Sequence, residues 1–286
     1  MKCAWKELLG ILPDWLAPDV DRFGKDSLQE LRLRMGSPPE LVCGDGIRRL
    51  QRSVAPDDLN FCINTASRYS PWAAQSIASG YLTAPGGHRI GICGEAVVKA
   101  GEMTGVRNVT SLCIRVARDF PGIGRDAAAL SGSILLLGPP GSGKSTLLRD
   151  LVREISRTEQ TAVVDERGEL FPPQSHFESG CMLDVLTGCS KEMGIDRVLR
   201  TMGPSCIAVD EITAAADCDA LLRAGWCGVR LIATAHAAGV GDLYRRPLYQ
   251  PLVENRLFDH IIVLRRDKTW HVERVDAICC NGSVQY

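Results

Sequence analysis

The sequence predicts an α/β fold in two parts, with a smaller N-terminal α+β domain ahead of a larger domain built on a parallel sheet. Three observations support this prediction. From residue 133 to residue 286, short apolar runs alternate with helical periods, a pattern typical of a parallel sheet covered on both faces. Residues 1–118 instead mix short strands with helices. Residues 119–132 carry glycines and a proline and are interpreted as a linker.

The first part has elements of both kinds. Leu28 to Met35 alternates apolar and polar residues, as a half-buried strand does. Helical periodicity runs from Asp57 to Ala78, and Pro71 is expected to interrupt it. Pro85 to Gly87 predicts a turn between β-rich segments, and Ser111 to Arg118 predicts a further strand. The expected module is a small α+β domain.

The second part alternates strand and helix throughout. Its predicted elements are, in order, the strand SILLL, the helix TLLRDLVREIS, the strands TAVVDE and CIAVDE, a helix near Ala215 to Ala224, the strand VRLIATAH, and the strands DHIIVLRR and WHVERVDAI. The last two are expected to pair antiparallel at an edge of the sheet. The other strands are expected to be parallel, because helical segments separate them.

A glycine loop carries the strongest chemical signal. The stretch from Gly138 to Ser145 matches G-x-x-x-x-G-K-S between an apolar strand and a helix, the context that a phosphate-binding P-loop requires. Such a loop points backbone N–H groups and the positive end of a helix at the phosphates. We expect Lys144 to reach the β- and γ-phosphates of ATP, and the Ser145 hydroxyl to ligate Mg²⁺. The predicted nucleotide-binding residues are Gly138, Pro139, Pro140, Gly141, Ser142, Gly143, Lys144, Ser145 and Thr146.

Two adjacent acids end the strand CIAVDE. At the carboxyl edge of a parallel sheet, Asp210 is expected to hold Mg²⁺ through water, and Glu211 is expected to act as general base. One strand-helix-strand passage separates this pair from the P-loop. That spacing favours a RecA/AAA-like P-loop NTPase core over a kinase or a GTPase, and the chain has no convincing guanine-selecting N-K-x-D motif.

Other strand ends supply further candidates. After TAVVDE, either Glu169 or Asp165 is a candidate to position Mg²⁺ or the attacking water, with a plain charged loop as the alternative. Thr234 is a candidate to hydrogen-bond the γ-phosphate or its water. His236 is a candidate to relay the state of the nucleotide to a neighbouring element.

A pair of arginines one helical turn apart is a further candidate. Arg197 and Arg200 share a helix face and could reach nucleotide in the same or an adjacent subunit. Ordinary salt bridges to surface acids are an equally good interpretation. Arg200 is therefore retained as a candidate catalytic residue with that alternative open.

Composition limits the classes of partner. The 33 basic and 34 acidic residues give a net charge of −1, and aromatic residues make up 6% of the chain. No strip of basic residues interleaved with aromatics is visible, so no nucleic-acid partner is expected. Neither a secretory leader nor a run of about eighteen apolar residues is present, which predicts a cytoplasmic protein without membrane insertion. The twelve cysteines lie singly except for Cys279 and Cys280 and predict reduced, mostly buried thiols.

The motif order resembles that of the secretion ATPases of type II and type IV systems. The shared elements are the P-loop, the acidic box from Asp165 to Glu169, Leu199 and Arg200 followed by Pro204 and Glu211, and T-A-H from Thr234 to His236. Asp210 departs from the resemblance, since those enzymes often carry glycine there. The resemblance implies a hexameric ring in which the N-terminal module of each subunit clamps over nucleotide. It makes Arg89, Arg115 and Arg118 candidates for phosphate contact, Arg115 best placed because it lies just before the linker. An ordinary strand arginine on a solvated face is an equally good interpretation of each.

A closer resemblance covers nearly the whole chain. The segments GYLTAPGGHRIGICGE, GPPGSGKSTLLRDL, VVDERGE and SCIAVDEI, among others, resemble the stage III sporulation protein AA family of endospore-forming bacteria. The resemblance implies an ATPase in the mother cell. It would power or assemble a channel complex between mother cell and forespore, with membrane proteins of that complex as partners.

Two other hypotheses keep the same core. In the first, the N-terminal part grips single-stranded nucleic acid in an ATP-dependent manner. In the second, the chain is a switch or scaffold that binds ATP and scarcely hydrolyses it. Salt-dependent binding of an oligonucleotide would favour the first, and a negligible rate of phosphate release would favour the second.

Overall fold

The computed structural model describes residues 1–68, 80–172, 175 and 177–274. Its contacts divide the chain into two compact units. Unit 1 comprises Met1–Asp119 with Pro172–Phe177, and unit 2 comprises Phe120–Phe171 with Glu178–Tyr286. The residues expected to form a linker, 120–132, thus lie in unit 2. The predicted helix beyond residue 68, the end of the last predicted strand and the cysteine pair Cys279 and Cys280 lie outside the described residues.

Unit 1 is an α+β fold around one six-stranded sheet of order β3-β2-β1-β6-β5-β4, whose neighbouring strands are all antiparallel. Its strands are β1 Leu28–Arg34, β2 Glu40–Cys43, β3 Gly46–Arg49, β4 Tyr81–Thr83, β5 Arg89–Lys99 and β6 Glu102–Arg115. Its helices are α1 Trp5–Gly10, α2 Ala17–Ser27 and α3 Pro56–Ala66. The alternation that predicts β1 buries Leu28, Leu31 and Leu33 against the helices.

Helix α3 confirms the first half of the predicted helix and shows where it ends. It begins at Pro56, whose fixed φ suits the first helical position, and the Asp58 carboxylate accepts the Ala55 N–H at 2.8 Å. The helix ends at Ala66, earlier than the expected break at Pro71. At that point Arg68 takes a left-handed φ of 49°, which no helix continues through.

The predicted turn at Pro85–Gly87 is a 3₁₀ turn that places a buried histidine. Gly86 has a φ of 79°, and a Cβ there would lie 2.4 Å from the Ala4 Cβ. His88 is fully buried. Its Nε2 lies 2.8 Å from the Ala4 carbonyl, and its Nδ1 accepts the Ala117 N–H at 3.1 Å. Burial lowers the pKa of His88, so the neutral ring ties the start of the chain to the end of the sheet.

Unit 2 is the predicted parallel sheet, with seven strands in the order β13-β12-β7-β11-β10-β8-β9. The strands are β7 Ile134–Leu137, β8 Thr161–Asp165, β9 Leu183–Thr187, β10 Cys206–Glu211, β11 Arg230–Ala235, β12 His260–Leu264 and β13 Trp270–Arg274. All neighbours are parallel except β12 and β13. The predicted antiparallel edge pair is thereby confirmed.

Helices cover both faces of this sheet, as its apolar strands require. They are α4 Arg125–Ala128, α5 Lys144–Ile155, α6 Lys191–Thr201, α7 Ala215–Trp226, α8 Val240–Arg245 and α9 Gln250–Glu254. Helix α5, which follows the P-loop, packs on one face against alternate strand residues such as Ala208 and Ile232. Helices α6 and α7 pack on the other face against Ile207 and Val209. Among the described residues, no helix combines the length and apolarity needed to cross a membrane.

Candidate functional site

The P-loop joins the buried strand β7 to helix α5. Gly141 and Gly143 take φ values of 78° and 98°, a region that L-residues other than glycine disfavour. The curl starts the helix at Lys144, and the Leu147 N–H donates to the Gly143 carbonyl at 2.9 Å. The first amides of a helix have no intrahelical acceptor, so those of Lys144 and its neighbours suit an anion.

Two hydroxyls near this loop differ in exposure. Ser142 is fully buried, and among the described residues none offers its Oγ a hydrogen-bond partner. Ser145 is exposed in the first turn of α5. A curled glycine loop, free helix amides and a buried hydroxyl without a protein partner fit phosphate oxygens. The exposed Ser145 hydroxyl, an oxygen ligand, fits a magnesium ion at the same helix end.

The Lys144 ammonium group is buried within the loop. Its Nζ donates to the Gly138 carbonyl at 2.8 Å and to the Pro139 carbonyl at 3.1 Å, and it lies 3.0 Å from His236 Nδ1. Burial lowers the pKa of Lys144, and the charge of Glu211 opposes that effect. The structure therefore places the predicted phosphate lysine beside two other predicted site residues.

Glu211, His236 and Lys144 lie in a row of close polar contacts. His236 Nε2 lies 2.8 Å from Glu211 Oε2, and the other ring nitrogen faces Lys144. Nδ1 also lies 3.3 Å from the Gly138 carbonyl. Because an ammonium group only donates, the shorter Lys144 contact assigns Nδ1 as acceptor and leaves the ring proton on Nε2, on the side of the Glu211 carboxylate. Thr234 pairs with Leu136 of β7 and with Glu211 of β10, so it lies between the P-loop strand and the acidic strand.

A bulge in β10 decides which acid faces the P-loop. Ala208 pairs with Ile232 and Glu211 pairs with Thr234, so β10 advances by three residues while β11 advances by two. Without the extra residue, the alternation of a strand would direct Asp210 to the face of α5. With it, Glu211 reaches His236 and Asp210 turns toward α6.

Asp210 is consequently paired with a lysine that the sequence reasoning missed. Its Oδ1 lies 3.2 Å from Lys191 Nζ, as an ion pair without well-directed hydrogen-bond geometry. Burial raises the pKa of Asp210 to about 6, although Lys191 opposes the shift. The magnesium role expected for Asp210 remains a prediction. The sequence did carry one signal for Lys191. It begins a helix, where the helix dipole disfavours a cation, so an acidic partner could have been expected for it.

The acidic box folds into a loop that Asp165 organises. Asp165 is fully buried, and its carboxylate accepts the N–H groups of Glu169 and Leu170 at 2.8 Å and of Phe171 at 3.1 Å. Arg149 of α5 donates to the Glu169 carbonyl at 2.9 Å. The structure thus uses Asp165 as an internal cap of the loop. It holds the backbone of Glu169 in place, and the role expected for the Glu169 carboxylate stays a prediction.

Arg200 is not brought to the P-loop within the chain. Helix α6 begins at Lys191 on the carboxyl edge of the sheet and runs away from it, so Arg200 lies about 13 Å further along the axis at ~1.5 Å per residue. Arg197 and Arg200 are both exposed there, and Arg200 lines a groove with Leu199 and Pro204. Contact with nucleotide held by an adjacent subunit stays a prediction, and ordinary salt bridges to surface acids stay the alternative.

Four of the ten described cysteines are buried, three are half-buried and three are exposed, so the expectation of mostly buried thiols is met only in part. Burial raises the pKa of Cys62, Cys206 and Cys218 to about 12. Within the described ranges, no three histidine, cysteine or acidic side chains lie together as a metal cluster. A magnesium site of the P-loop kind needs no such cluster, because phosphate and water supply most of its ligands.

The parallel sheet, the P-loop at its carboxyl edge and the acid held beside the loop lysine define an α/β P-loop ATPase fold. Solved structures share it. The ATPase DotB of Legionella pneumophila has a TM-score of 0.62 and 17% identity, with coverage of 95% of this chain and 85% of that one. The pilus retraction motor PilT with bound ADP has a TM-score of 0.58 and 17% identity, with coverage of 86% and 76%. The predicted fold class is confirmed.

Sequence comparison identifies the family. The pattern of the family described as Sporulation stage III, protein AA matches residues 18–278. Stage III sporulation protein AA of Bacillus subtilis (strain 168) is 35% identical over 282 residues, covering 92% of this chain and 91% of that protein. The chain belongs to the sporulation stage III protein AA family, as the resemblance predicts.

Proposed function

We propose that this chain is a magnesium-dependent ATPase in which Glu211 is the general base. One observation supports the proposal most directly: the Glu211 carboxylate is held by His236, which in turn contacts the P-loop lysine Lys144. A carboxylate fixed at the P-loop edge of the sheet is the arrangement that orients and deprotonates a water for attack on a γ-phosphate.

Each residue has a distinct task in this proposal. The amides of the P-loop and of the first turn of α5 hold the phosphates, and Lys144 exchanges one of its three present partners for a phosphate oxygen. His236 donates its Nε2–H to Glu211 and so fixes the carboxylate in place. The Glu211 carboxylate then accepts the proton of the attacking water. Magnesium neutralises phosphate charge when it is bound. Ser145 would hold it directly, and Asp210, which stays paired with Lys191, would reach it only through water.

The central test replaces Glu211 by glutamine. The variant keeps the shape of the side chain and an oxygen that can face His236, but it loses the basic carboxylate. Phosphate release should therefore fall by at least ~10²-fold, the usual scale of general-base catalysis. ATP affinity, measured by calorimetry, should stay unchanged. Glu254→Gln, at an exposed site on α9, is the matched control and should hydrolyse ATP like the parent. Equal rates for Glu211→Gln and the parent would exclude this base.

A second variant separates binding from turnover. Lys144→Ala removes the ammonium group from the phosphate loop, so ATP should bind more weakly. Undiminished affinity would contradict the assignment of the loop. A parent protein that binds ATP and releases no phosphate would instead indicate the switch or scaffold hypothesis.

In the cell, we propose that this activity powers or assembles a mother cell–forespore channel complex from the cytoplasm of the mother cell. The family assignment supports a role in sporulation, and hexameric assembly with membrane-protein partners is part of the proposal. The mass of the purified protein should rise to that of a ring with a non-hydrolysable ATP analogue and magnesium. Salt-dependent binding of a single-stranded oligonucleotide would favour the nucleic-acid hypothesis in place of the channel role.

A further inference from the structure

Lys191 occupies a position that two physical effects disfavour. It is 3% exposed, and a buried ammonium group loses its hydration. It is also the first residue of α6, where the helix dipole repels a cation. Ser190 already caps this helix by accepting the Met193 N–H. Neither helix propensity nor capping therefore explains a lysine at this position. The explanation must come from the groups that contact it.

Those partners are carboxylates from three separate elements. Lys191 Nζ lies 2.5 Å from Glu166 Oε2 in the acidic loop, 3.2 Å from Asp210 Oδ1 at the end of β10 and 4.0 Å from Asp217 Oδ2 in α7. Burial would lower the pKa of Lys191, but the hydrogen bond to Glu166 and the charges of the other two acids outweigh it and raise that pKa. The group is a cation held within a ring of acids.

The three acids are not equivalent. Asp217 Oδ2 already accepts the N–H groups of Thr213 at 2.9 Å and of Ala214 at 3.0 Å, so it is the cap of α7 and only a distant neighbour of the lysine. Glu166 and Asp210 remain as the close partners. One belongs to the acidic box and the other to the acidic pair, the motifs at the ends of the neighbouring strands β8 and β10.

We propose that Lys191 is a positioning residue for ATP hydrolysis, which acts by holding Asp210 and Glu166 on the α6 side of the bulge. Glu211 is then the acid of the pair presented to Lys144 and the P-loop. The inference rests on the proposed ATPase function. Among the described residues, the ion pairs of Lys191 are with carboxylates outside the P-loop. Its loss should therefore change turnover through Asp210 and leave nucleotide binding nearly intact.

The test is a double-mutant cycle on the turnover number. Lys191→Met alone should lower kcat by about tenfold or more with KM for ATP changed by less than about threefold, the signature of a lost transition-state arrangement. If the lysine acts through Asp210, then Lys191→Met should add less than about twofold to the loss in an Asp210→Asn background. Lys6→Met, at an exposed site in unit 1, is the control for loss of a lysine charge.

A structural role alone would have a different outcome. It would lower the urea midpoint of Lys191→Met while kcat per folded molecule stayed at the parent value, and that result overturns the proposal. Losses in the double variant that equal the product of the single losses also overturn it. If Lys191→Met does not fold, Glu166→Gln, at a side chain 39% exposed, loosens the same lysine and should lower kcat without changing KM.

Failure of the proposed ATPase function can be distinguished from failure of the proposed role of Lys191. Parent protein without Glu211-dependent phosphate release removes both proposals together. Parent protein with Glu211-dependent release, combined with a fully active and folded Lys191→Met variant, removes only the role of Lys191.

Discussion

Replacing Asp165 by asparagine separates a structural role of this acid from a catalytic one. Both carboxylate oxygens are used: Oδ1 accepts one backbone N–H, from Glu169, and Oδ2 accepts two, from Leu170 and Phe171. An asparagine amide has one oxygen and one NH₂ group. In its best orientation the amide oxygen still accepts the N–H groups of Leu170 and Phe171. The NH₂ group then faces the Glu169 N–H, and two donors cannot form a hydrogen bond.

The magnitude follows from that geometry. One charge-assisted bond is lost and one partly buried donor is left unpaired, which together cost about 2–4 kcal/mol of unfolding free energy. For a unit of this size the melting temperature should fall by roughly 5–12 °C. Thermal and urea unfolding without nucleotide are the assays. Asp219→Asn, at an exposed site on α7, should stay within about 0.5 kcal/mol of the parent.

The outcome also decides between the two interpretations of the acidic box. If Asp165 serves magnesium or the attacking water instead, Asp165→Asn should unfold like the parent and lose turnover. An unchanged melting temperature would therefore refute the assignment of Asp165 as the cap of its loop.

Two other predictions concern packing and pH. A Cβ at Gly194 would lie 2.4 Å from Val164 Cγ1, so Gly194→Ala should lower the unfolding free energy by about 1–3 kcal/mol in urea, whereas Gly10→Ala, with no atom within 4 Å, should change it by no more than about 1 kcal/mol. Burial lowers the pKa of His88 below its ordinary value of 6.5. Below pH 6.5 the unfolded chain therefore binds a proton at His88 while the folded chain keeps the ring neutral. The stability that the neutral ring contributes above pH 6.5 is lost as the pH falls below that value. The stability difference between the parent and His88→Gln should shrink between about pH 7.5 and about pH 5.5, and a constant difference would contradict the role of the neutral ring.

Sequence patterns predict those elements whose conformation depends mainly on residues close to one another in the chain. The apolar run before Gly138, the glycine spacing and the helix after Lys144 are neighbours in sequence, so the P-loop could be placed without a structure. Strand β9 could not be predicted, because it is an edge strand of five residues, three of them half-buried, two exposed and none buried. The hairpin of β5 and β6 was recognised only in part, since its outer half is exposed and lacks a buried face.

The site shows the same division. Lys144 was predictable from the P-loop motif, and Glu211 and His236 were predictable from their strand-end positions. The structure brings all three together. The pairing of Asp210 with Lys191 depends on the bulge and on a helix that starts 19 residues earlier in the chain. The sequence of the acidic box likewise predicts a reactive cluster. In the fold, the Asp165 carboxylate instead accepts backbone N–H groups of its own loop.

The one-residue insertion in β10 has a consequence for how relatives are matched to this chain. An alignment column pairs residues by their count along the strand, but the chemistry of a strand-end carboxylate depends on the side of the sheet it emerges from. A homologous strand that lacks the insertion would present its reactive oxygen one column earlier. Equivalent acids in such proteins should be assigned by superposing their backbones, and a glycine opposite Asp210 would then remove a lysine partner and leave the base in place.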